Sequence, residues 1–243
     1  MDVVTEAKQE VRTEVWDRMQ KAGAARWPGA KGRIPNFPGA EDAATLLATT
    51  TEWKRAQVVK VNPDAPQLPV RATALKEGKL LYMAVPKLAD AKPFFLLDPD
   101  HIGVAPRAAA SIRGASRNAA KVVPADMRSI DLIVCGSVAV NRKGARVGKG
   151  GGFSDLEFAL LTELGLITAE TTLVTTVHPL QIVDGDLPET EHDFRVQRIV
   201  MPDEVIRCGR SRRRPPGILW DHLDPDKISA IPVLEDLASR RRN

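Results

Sequence analysis

The sequence predicts a single three-layer α/β domain with a mostly parallel central sheet, similar to the Rossmann-like folds. Short β-branched or apolar runs, at residues 130–135 and 173–177, have the composition of strands that are buried on both faces. Segments with helical periodicity separate these runs, and such alternation is typical of α/β domains. Ligands of this class bind beyond the carboxyl ends of the strands, so we expect candidate site residues there.

Periodicity and breaker residues predict the elements in chain order. Residues 2–25 predict a first helix, because apolar side chains recur there at steps of three and four residues. A loop rich in proline and glycine follows, and a second helix begins near Glu41. The other predicted elements are the strands 57–61, 80–85, 94–97 and 198–201, the loop 63–69, the helix 70–76 and a final helix from about Asp226. Residues 105–120 show no clear pattern.

Length and composition indicate a globular protein. The chain has 243 residues, of which 43% are hydrophobic, and this suffices for a full core. A run of about 18 apolar residues, as a membrane span needs, is absent, and so is the apolar core of a signal peptide. We therefore predict a cytoplasmic protein without a membrane partner. Residues 1–205 are assigned to the α/β domain, and residues 206–243 to a basic extension packed on it or trailing from it.

Cysteine and histidine spacing argues against a transition-metal centre. Cys135 and Cys208 are far apart and belong to no Cys-x-x-Cys pair, and the four histidines are scattered. The two thiols are interpreted as a buried strand residue and a loop residue.

The net charge of +4 is unevenly distributed, because arginines concentrate near the end of the chain. They are Arg207, Arg210, Arg212, Arg213, Arg214, Arg240, Arg241 and Arg242. Aromatic residues make up only 5% of the chain and do not interleave with these arginines, so the stacking platform of a single-strand binder is missing. A solvated basic surface is the favoured interpretation, and binding to nucleic acid is the alternative.

The segment that dominates the functional prediction is residues 146–155, which read Arg-Val-Gly-Lys-Gly-Gly-Gly-Phe-Ser-Asp. It lies between the strand at 130–135 and an amphipathic helix predicted at 153–164. A strand, a glycine-rich loop and a helix N-terminus can form an anion cradle of backbone N–H groups, to which Arg146 and Lys149 add charge. The spacing matches neither the Walker A motif nor the dinucleotide fingerprint. A flexible surface hinge is therefore the alternative to a phosphate site.

Other charged residues permit two interpretations each on spacing alone. Lys8 and Arg12 are four residues apart on one helical face, where they either clamp a phosphate or, as periodicity favours, face water. Asp155 suits a magnesium ion that bridges phosphates, or it simply interacts with the helix dipole. Glu41 is explained by the dipole of the second helix. The acidic stretch at 184–193 predicts a solvated loop.

These motifs together resemble the 5-formyltetrahydrofolate cyclo-ligase family. Residues 175–181 (Thr-Thr-Val-His-Pro-Leu-Gln) and 214–220 (Arg-Pro-Pro-Gly-Ile-Leu-Trp) resemble in particular its divergent branch, which includes the methenyltetrahydrofolate synthetase domain-containing proteins. Residues 146–155 are similar to the family signature Arg-Leu-Gly-x-Gly-Gly-Gly-Tyr-Tyr-Asp. The pair Lys8 and Arg12, then Glu41, and finally Pro188 with Asp193 match further motifs in the right order. The resemblance implies the cyclo-ligase α/β fold and ATP- and Mg²⁺-dependent conversion of 5-formyltetrahydrofolate to 5,10-methenyltetrahydrofolate.

The same resemblance assigns roles to individual residues. The ATP phosphates would be held by Lys8, Arg12, Arg146, Gly148, Lys149, Gly150, Gly151 and Gly152. Arg146 and Lys149 would also serve catalysis by neutralising charge, since phosphoryl transfer needs mainly positioning and electrostatics. Asp155 and Asp193 would hold Mg²⁺. Glu41, Phe153 and Ser154 would border the folate.

One departure from the family signature leaves the substrate open. Ser154 stands where the family has its second tyrosine, which removes an aromatic ring from the expected pterin site. Leu156 likewise stands where arginine is frequent. We therefore keep three hypotheses: a folate cyclo-ligase, a related protein that binds ATP but acts on another cofactor-pathway metabolite, and a non-catalytic protein that binds nucleic acid through its arginines.

Overall fold

The computed structural model describes residues 3–209 and 213–242 of the chain. The α-helices in that part are α1 (Val3–Lys21), α2 (Ala40–Thr49), α3 (Thr51–Arg55), α4 (Leu68–Lys76), α5 (Pro106–Ala109), α6 (Ile112–Asn118), α7 (Phe153–Glu163), α8 (Pro225–Ser229) and α9 (Pro232–Arg242). The strands there are β1 (Val58–Val61), β2 (Leu80–Ala84), β3 (Phe94–Leu97), β4 (Ala120–Val122), β5 (Leu132–Cys135), β6 (Ala139–Val140), β7 (Arg146–Val147), β8 (Thr172–Thr176), β9 (Arg198–Val200) and β10 (Val205–Arg207).

The central sheet of the described residues has the strand order β10-β9-β8-β5-β1-β2-β3-β4. The five strands from β9 to β2 in this order pair in parallel, whereas β10, β3 and β4 join antiparallel at the two edges. After β1, the chain adds β2 along one edge of β1, and it later adds β5 along the opposite edge of β1. The point between β1 and β5 is therefore the place where strand order reverses, and there an α/β sheet opens a crevice.

Helices cover both faces of this sheet, which confirms the predicted three-layer α/β fold. Side chains of β1 alternate between the faces, as the strand repeat requires. Val59 and Val61 join a buried cluster with side chains of α1, α2 and α4. Val58 joins the opposite cluster, which contains Leu160 of α7. All four residues of β1 are buried, as expected for a central parallel strand.

The structure corrects several local predictions. The loop predicted at 63–69 ends early, because a short 3-10 turn at Ala65–Gln67 leads into α4 with Pro69 in its first turn. The final helix is divided into α8 and α9. Pro232 is the first residue of α9. A proline disfavours helical backbone at the residue before it, so Ile231 lies in the break between α8 and α9. Residues 105–120, which had no assignment, contain the short helices α5 and α6.

A further correction concerns the glycine-rich segment. Arg146 does not lie in a loop that directly follows the strand β5. It belongs to β7, which pairs with β6 in a separate two-stranded hairpin before the glycines begin. The hairpin backbone thus fixes the position of Arg146, while the glycines form the connection from β7 to α7.

The C-terminal residues that the structure describes pack on the α7 side of the sheet. Ile218, Ile231 and Leu234 are buried in the same cluster as Leu160. The proposed boundary at residue 205 falls at the first residue of β10, and a division into two parts stays a prediction. Among the described residues, no helix combines the length and apolar character that crossing a membrane requires.

Candidate active site

A cavity of about 1190 Å³ opens at the carboxyl ends of β1, β2 and β5. Its walls include Asn62 after β1, Val85 after β2 and Gly136 after β5. The glycine segment Gly148 to Gly152 and the helix α1 contribute further walls. The cavity therefore lies at the strand-order reversal, where α/β folds bind their ligands.

The glycine segment adopts backbone conformations that other residues rarely take. Gly150 has φ of +109° and Gly152 has φ of +66°. Gly152 is the N-cap of α7, and no side chain caps this helix end. The amides of the first turn of α7 are therefore available to a ligand, in the field of the helix dipole. This geometry supports an anion site over a simple hinge.

Arg146 supplies a buried positive charge next to these glycines. Its side chain is only 1% exposed, its Nη2 donates to Asp155 Oδ1 at 2.5 Å, and its guanidinium lies 4.1 Å from the centre of the Phe194 ring. Burial opposes this charge, but Asp155 together with Cys135 and Asp193 outweighs that effect and raises the pKa of Arg146. Nε and Nη1 of Arg146 are buried without a hydrogen-bond partner in the described residues. Two buried donors of this kind need hydrogen-bond acceptors, which a bound anion or ordered water supplies.

Lys8 and Arg12 of α1 both point into the cavity, so the water-facing interpretation favoured by periodicity was wrong. Lys8 Nζ forms an ion pair with Asp193 at 2.6 Å. Arg12 Nε donates to the carbonyl oxygen of Gly148 at 2.7 Å, which ties α1 to the glycine segment. Burial lowers the pKa of Arg12, although the nearby Asp193 opposes this. The first helix therefore carries charge into the site and holds the loop in place.

Asp155 and Asp193 are the carboxylates predicted to hold a metal ion. Burial raises the pKa of Asp155; Arg146 opposes this effect, and Asp193 reinforces it. Burial also acts on Asp193, but hydrogen bonds from Lys8 and Thr190 outweigh it and lower the pKa of Asp193. Among the described residues, no group of three or more His, Cys, Asp or Glu side chains could hold a metal alone. Mg²⁺ commonly binds through one or two carboxylates plus substrate phosphates, so this pair fits that ion only together with a phosphate ligand.

Lys149 lies at the edge of the cavity, where its Nζ donates to Asp64 Oδ1 at 2.9 Å. Its side chain is 49% exposed, in contrast to Arg146. Of the two residues predicted to serve catalysis, Arg146 is therefore buried in the wall, whereas Lys149 is half-exposed at the rim.

A polar floor beneath the cavity was not anticipated. Lys60, buried in β1, pairs with Glu157 of α7 and donates to Asn62 Oδ1 at 2.7 Å. Asn62 in turn donates to the Ser154 hydroxyl at 3.2 Å. The hydroxyl that replaces the family tyrosine is thus part of a hydrogen-bonded network. A lysine inside the apolar run of β1 was the signal in the sequence, because a buried lysine needs an acidic partner.

Glu41 is not among the residues that line this cavity. Its carboxylate pairs with Arg26 at 3.1 Å and lies 3.6 Å from Arg107. The hydrogen bond from Arg26 lowers the pKa of Glu41. Phe153 and Ser154, by contrast, do line the cavity. Of the three residues expected to border the substrate, Phe153 and Ser154 therefore lie together in the cavity, and Glu41 lies outside it.

The C-terminal segment forms a wall that sequence reasoning missed. His222, Leu223 and Lys227 line the cavity, and His222 Nδ1 lies 3.3 Å from His192 Nε2. Nothing in the local sequence indicates these contacts, because they join residues far apart in the chain. Arg214 is not a free surface cation, since it donates to the carbonyl oxygens of Thr168 and Thr171 at 2.6 Å each. Arg210 and Arg212 lie outside the described residues.

Fold and site together define an α/β protein whose cavity, at the carboxyl ends of the parallel strands, is lined by glycines and basic side chains. Residues 4–202 match the model of the 5-formyltetrahydrofolate cyclo-ligase family, and the chain belongs to this family. The resemblance drawn from the motifs is thereby confirmed.

Curated relatives cover almost the entire chain. It is 37% identical over 238 residues to the methenyltetrahydrofolate synthase domain-containing protein of Bos taurus, and 36% identical over 243 residues to that of Homo sapiens. These matches cover 95% and 97% of this chain, which spans 62% of the length of each relative. The NMR structure of Aquifex aeolicus 5,10-methenyltetrahydrofolate synthetase is similar in fold, with a TM-score of 0.52 and 20% identity over 86% of this chain and 96% of that one.

Proposed function

We propose that this chain is an ATP- and Mg²⁺-dependent enzyme that converts 5-formyltetrahydrofolate to 5,10-methenyltetrahydrofolate. Family membership supports the reaction type. The observation that carries the nucleotide site is Arg146, whose Nε and Nη1 are buried beside the glycine segment and have no hydrogen-bond partner among the described residues. A phosphate group supplies the acceptors that these donors need, and hydrogen bonds to charged groups are among the strong ones.

The reaction makes demands that the cavity can satisfy. The formyl oxygen attacks the γ-phosphorus of ATP and ADP leaves; the folate N10 then closes on the activated carbon, and phosphate departs. Neither step needs a nucleophilic side chain, because catalysis rests on positioning and charge stabilisation. Arg146 and the α7 amides would neutralise charge on the transferred phosphoryl group, while Arg12 holds Gly148 in position.

Asp155 and Asp193 are the residues that would hold Mg²⁺ in this proposal. Bound there, the ion would neutralise charge on the nucleotide phosphates. The opposing pKa shifts of the two carboxylates suit this role. Lys8 stabilises the ionised form of Asp193 and lowers its pKa. Burial raises the pKa of Asp155, so an added positive charge would stabilise the ionised form of Asp155.

The test is an absorbance assay for methenyltetrahydrofolate formation from 5-formyltetrahydrofolate and Mg-ATP. We expect turnover by the wild-type chain. Since catalytic electrostatic groups are each worth about 10²–10³ in rate, Asp155→Asn should lose at least about 10²-fold. Asp155→Asn also leaves the buried Arg146 without its carboxylate, so its unfolding midpoint should fall. The assay is therefore run well below the measured midpoint of the variant, where loss of turnover does not reflect loss of the fold. Bound Mg-ATP without turnover would contradict the folate assignment and indicate another substrate for a retained nucleotide site.

The replacement Ser154→Tyr tests the folate slot. A ring at this position should lower the KM for 5-formyltetrahydrofolate by about 2- to 12-fold, because an aromatic stacking contact is worth about 0.5–1.5 kcal/mol. Ser154→Ala is the matched control, since it removes the hydrogen bond with Asn62 without adding a ring. An equal effect of both variants on KM would show that the ring itself contributes nothing and would argue for a substrate other than folate.

A further inference from the structure

Lys227 of α8 lies in the cavity wall although it is outside residues 4–202, the part that matches the family model. A Cβ atom built on Gly152 would come within 3.5 Å of Lys227 Nζ, so the ammonium group sits at the N-terminus of α7. Its Nζ also lies 5.6 Å from the centre of the Phe153 ring. This cation–π contact holds the charge over the glycine segment, where a flexible side chain would otherwise sample many positions.

Lys227 differs in its partners from the other cations at the glycine segment. Arg146 pairs with Asp155, Lys149 with Asp64 and Lys8 with Asp193. Arg12 donates to the Gly148 carbonyl oxygen and to Gln9. Within residues 3–209 and 213–242, Lys227 has no hydrogen bond and no ion pair. Its ammonium group makes a cation–π contact with the Phe153 ring. Its full charge is therefore available to a ligand at the end of α7.

We propose that Lys227 is a phosphate-binding residue, supplied by the C-terminal segment to the same anion that Arg146 and the α7 amides would hold. Three features line the same cavity: the N-terminus of α7, the buried donors of Arg146 and the ammonium group beside Gly152, and the last two lack polar partners among the described residues. An oxyanion is the ligand that all three favour. The proposal rests on the proposed nucleotide site and adds to it a cation from beyond the family-matched region.

The test compares Lys227→Ala with Lys227→Arg, which keeps the charge, and with Lys76→Ala. Lys76 is an exposed lysine at the end of α4 that does not line the cavity. The dissociation constants of Mg-ATP and of inorganic pyrophosphate are measured by calorimetry in the absence of folate. The KM values for Mg-ATP and for 5-formyltetrahydrofolate are then determined separately.

Lys227→Ala should weaken the binding of both probes by about 10-fold, as expected for loss of a charged hydrogen bond, while Lys227→Arg recovers most of it and Lys76→Ala changes nothing. The KM for Mg-ATP should rise without a matching change in the KM for folate. Binding by Lys227→Ala equal to that of Lys76→Ala would overturn the proposal. A rise in the folate KM alone would overturn it as well and would assign Lys227 to the folate wall.

The two proposals fail separately. A wild-type chain that binds pyrophosphate and Mg-ATP but does not turn over folate contradicts the proposed reaction, and the effect of Lys227 on phosphate binding is still measured. A chain that converts folate with Lys227→Ala indistinguishable from wild type contradicts only the role of Lys227. A chain that binds neither probe contradicts both.

Discussion

Replacing Arg146 with glutamine is expected to lower the rate of turnover by about 10²–10³-fold, the usual cost of removing a preorganised charge-stabilising donor. The guanidinium is fixed by Asp155 and by the Phe194 ring, and its Nε and Nη1 are the donors left for a ligand. Glutamine retains some polarity but lacks both the charge and the reach. Steady-state kinetics with Mg-ATP as the varied substrate measures this loss.

The same substitution also affects stability, and a second variant separates the two effects. Arg146→Gln leaves the Asp155 carboxylate without its cation, and breaking a buried ion pair costs about 3–5 kcal/mol of unfolding free energy. The double variant Arg146→Gln with Asp155→Asn removes both charges and should recover much of that stability. It should not recover turnover. Wild-type turnover in either variant would contradict the role given to Arg146.

A second large effect on stability is expected for Lys60→Met. Lys60 and Glu157 are an ion pair with side chains only 2% and 7% exposed, so the substitution leaves an uncompensated carboxylate between sheet and helix. The unfolding free energy should fall by about 3–5 kcal/mol. For a chain of this size the unfolding midpoint should fall by about 6–20 °C, at roughly 2–4 °C per kcal/mol. Thermal and urea unfolding measure both quantities.

Two variants control this prediction. Lys60→Met combined with Glu157→Leu replaces both charges with apolar groups, and should be more stable than the single variant, because an apolar pair can replace a buried ion pair at little cost. Lys76→Met changes an exposed lysine and should leave the midpoint almost unaltered. A Lys60→Met variant as stable as Lys76→Met would show that the pair does not contribute to folding stability.

Most strands of the central sheet and the longer helices could be predicted because their signals are local. The edge strands β4 and β10, with three residues each, were missed. Strands buried on both faces, such as β5, read as continuous apolar runs, and the periodicity of α1 extends over several turns. The hairpin of β6 and β7 was missed because strands of two residues are too short to show any period. The break before α9 had a signal in Pro232, but the helical pattern on both sides concealed it.

The glycine segment and its charged neighbours were also accessible from the sequence, because a ligand-binding loop needs particular residue types in a fixed order. The pairing of these charges was not accessible. The contacts of Lys8 with Asp193 and of Arg12 with Gly148 join residues more than 130 positions apart, and only the fold creates them. The same holds for Lys227, whose place beside Gly152 depends on how the C-terminal segment packs against α7.

A crystal structure of the complex with Mg²⁺ and a non-hydrolysable ATP analogue tests the central claim most directly. We predict that the phosphates lie against the amides of Gly148 to Gly152, with Nε and Nη1 of Arg146 within about 3.2 Å of phosphate oxygens, the distance of an N–H···O hydrogen bond. A nucleotide bound elsewhere, or bound with both Arg146 nitrogens still lacking a partner, would contradict the assignment of this cavity as the nucleotide site.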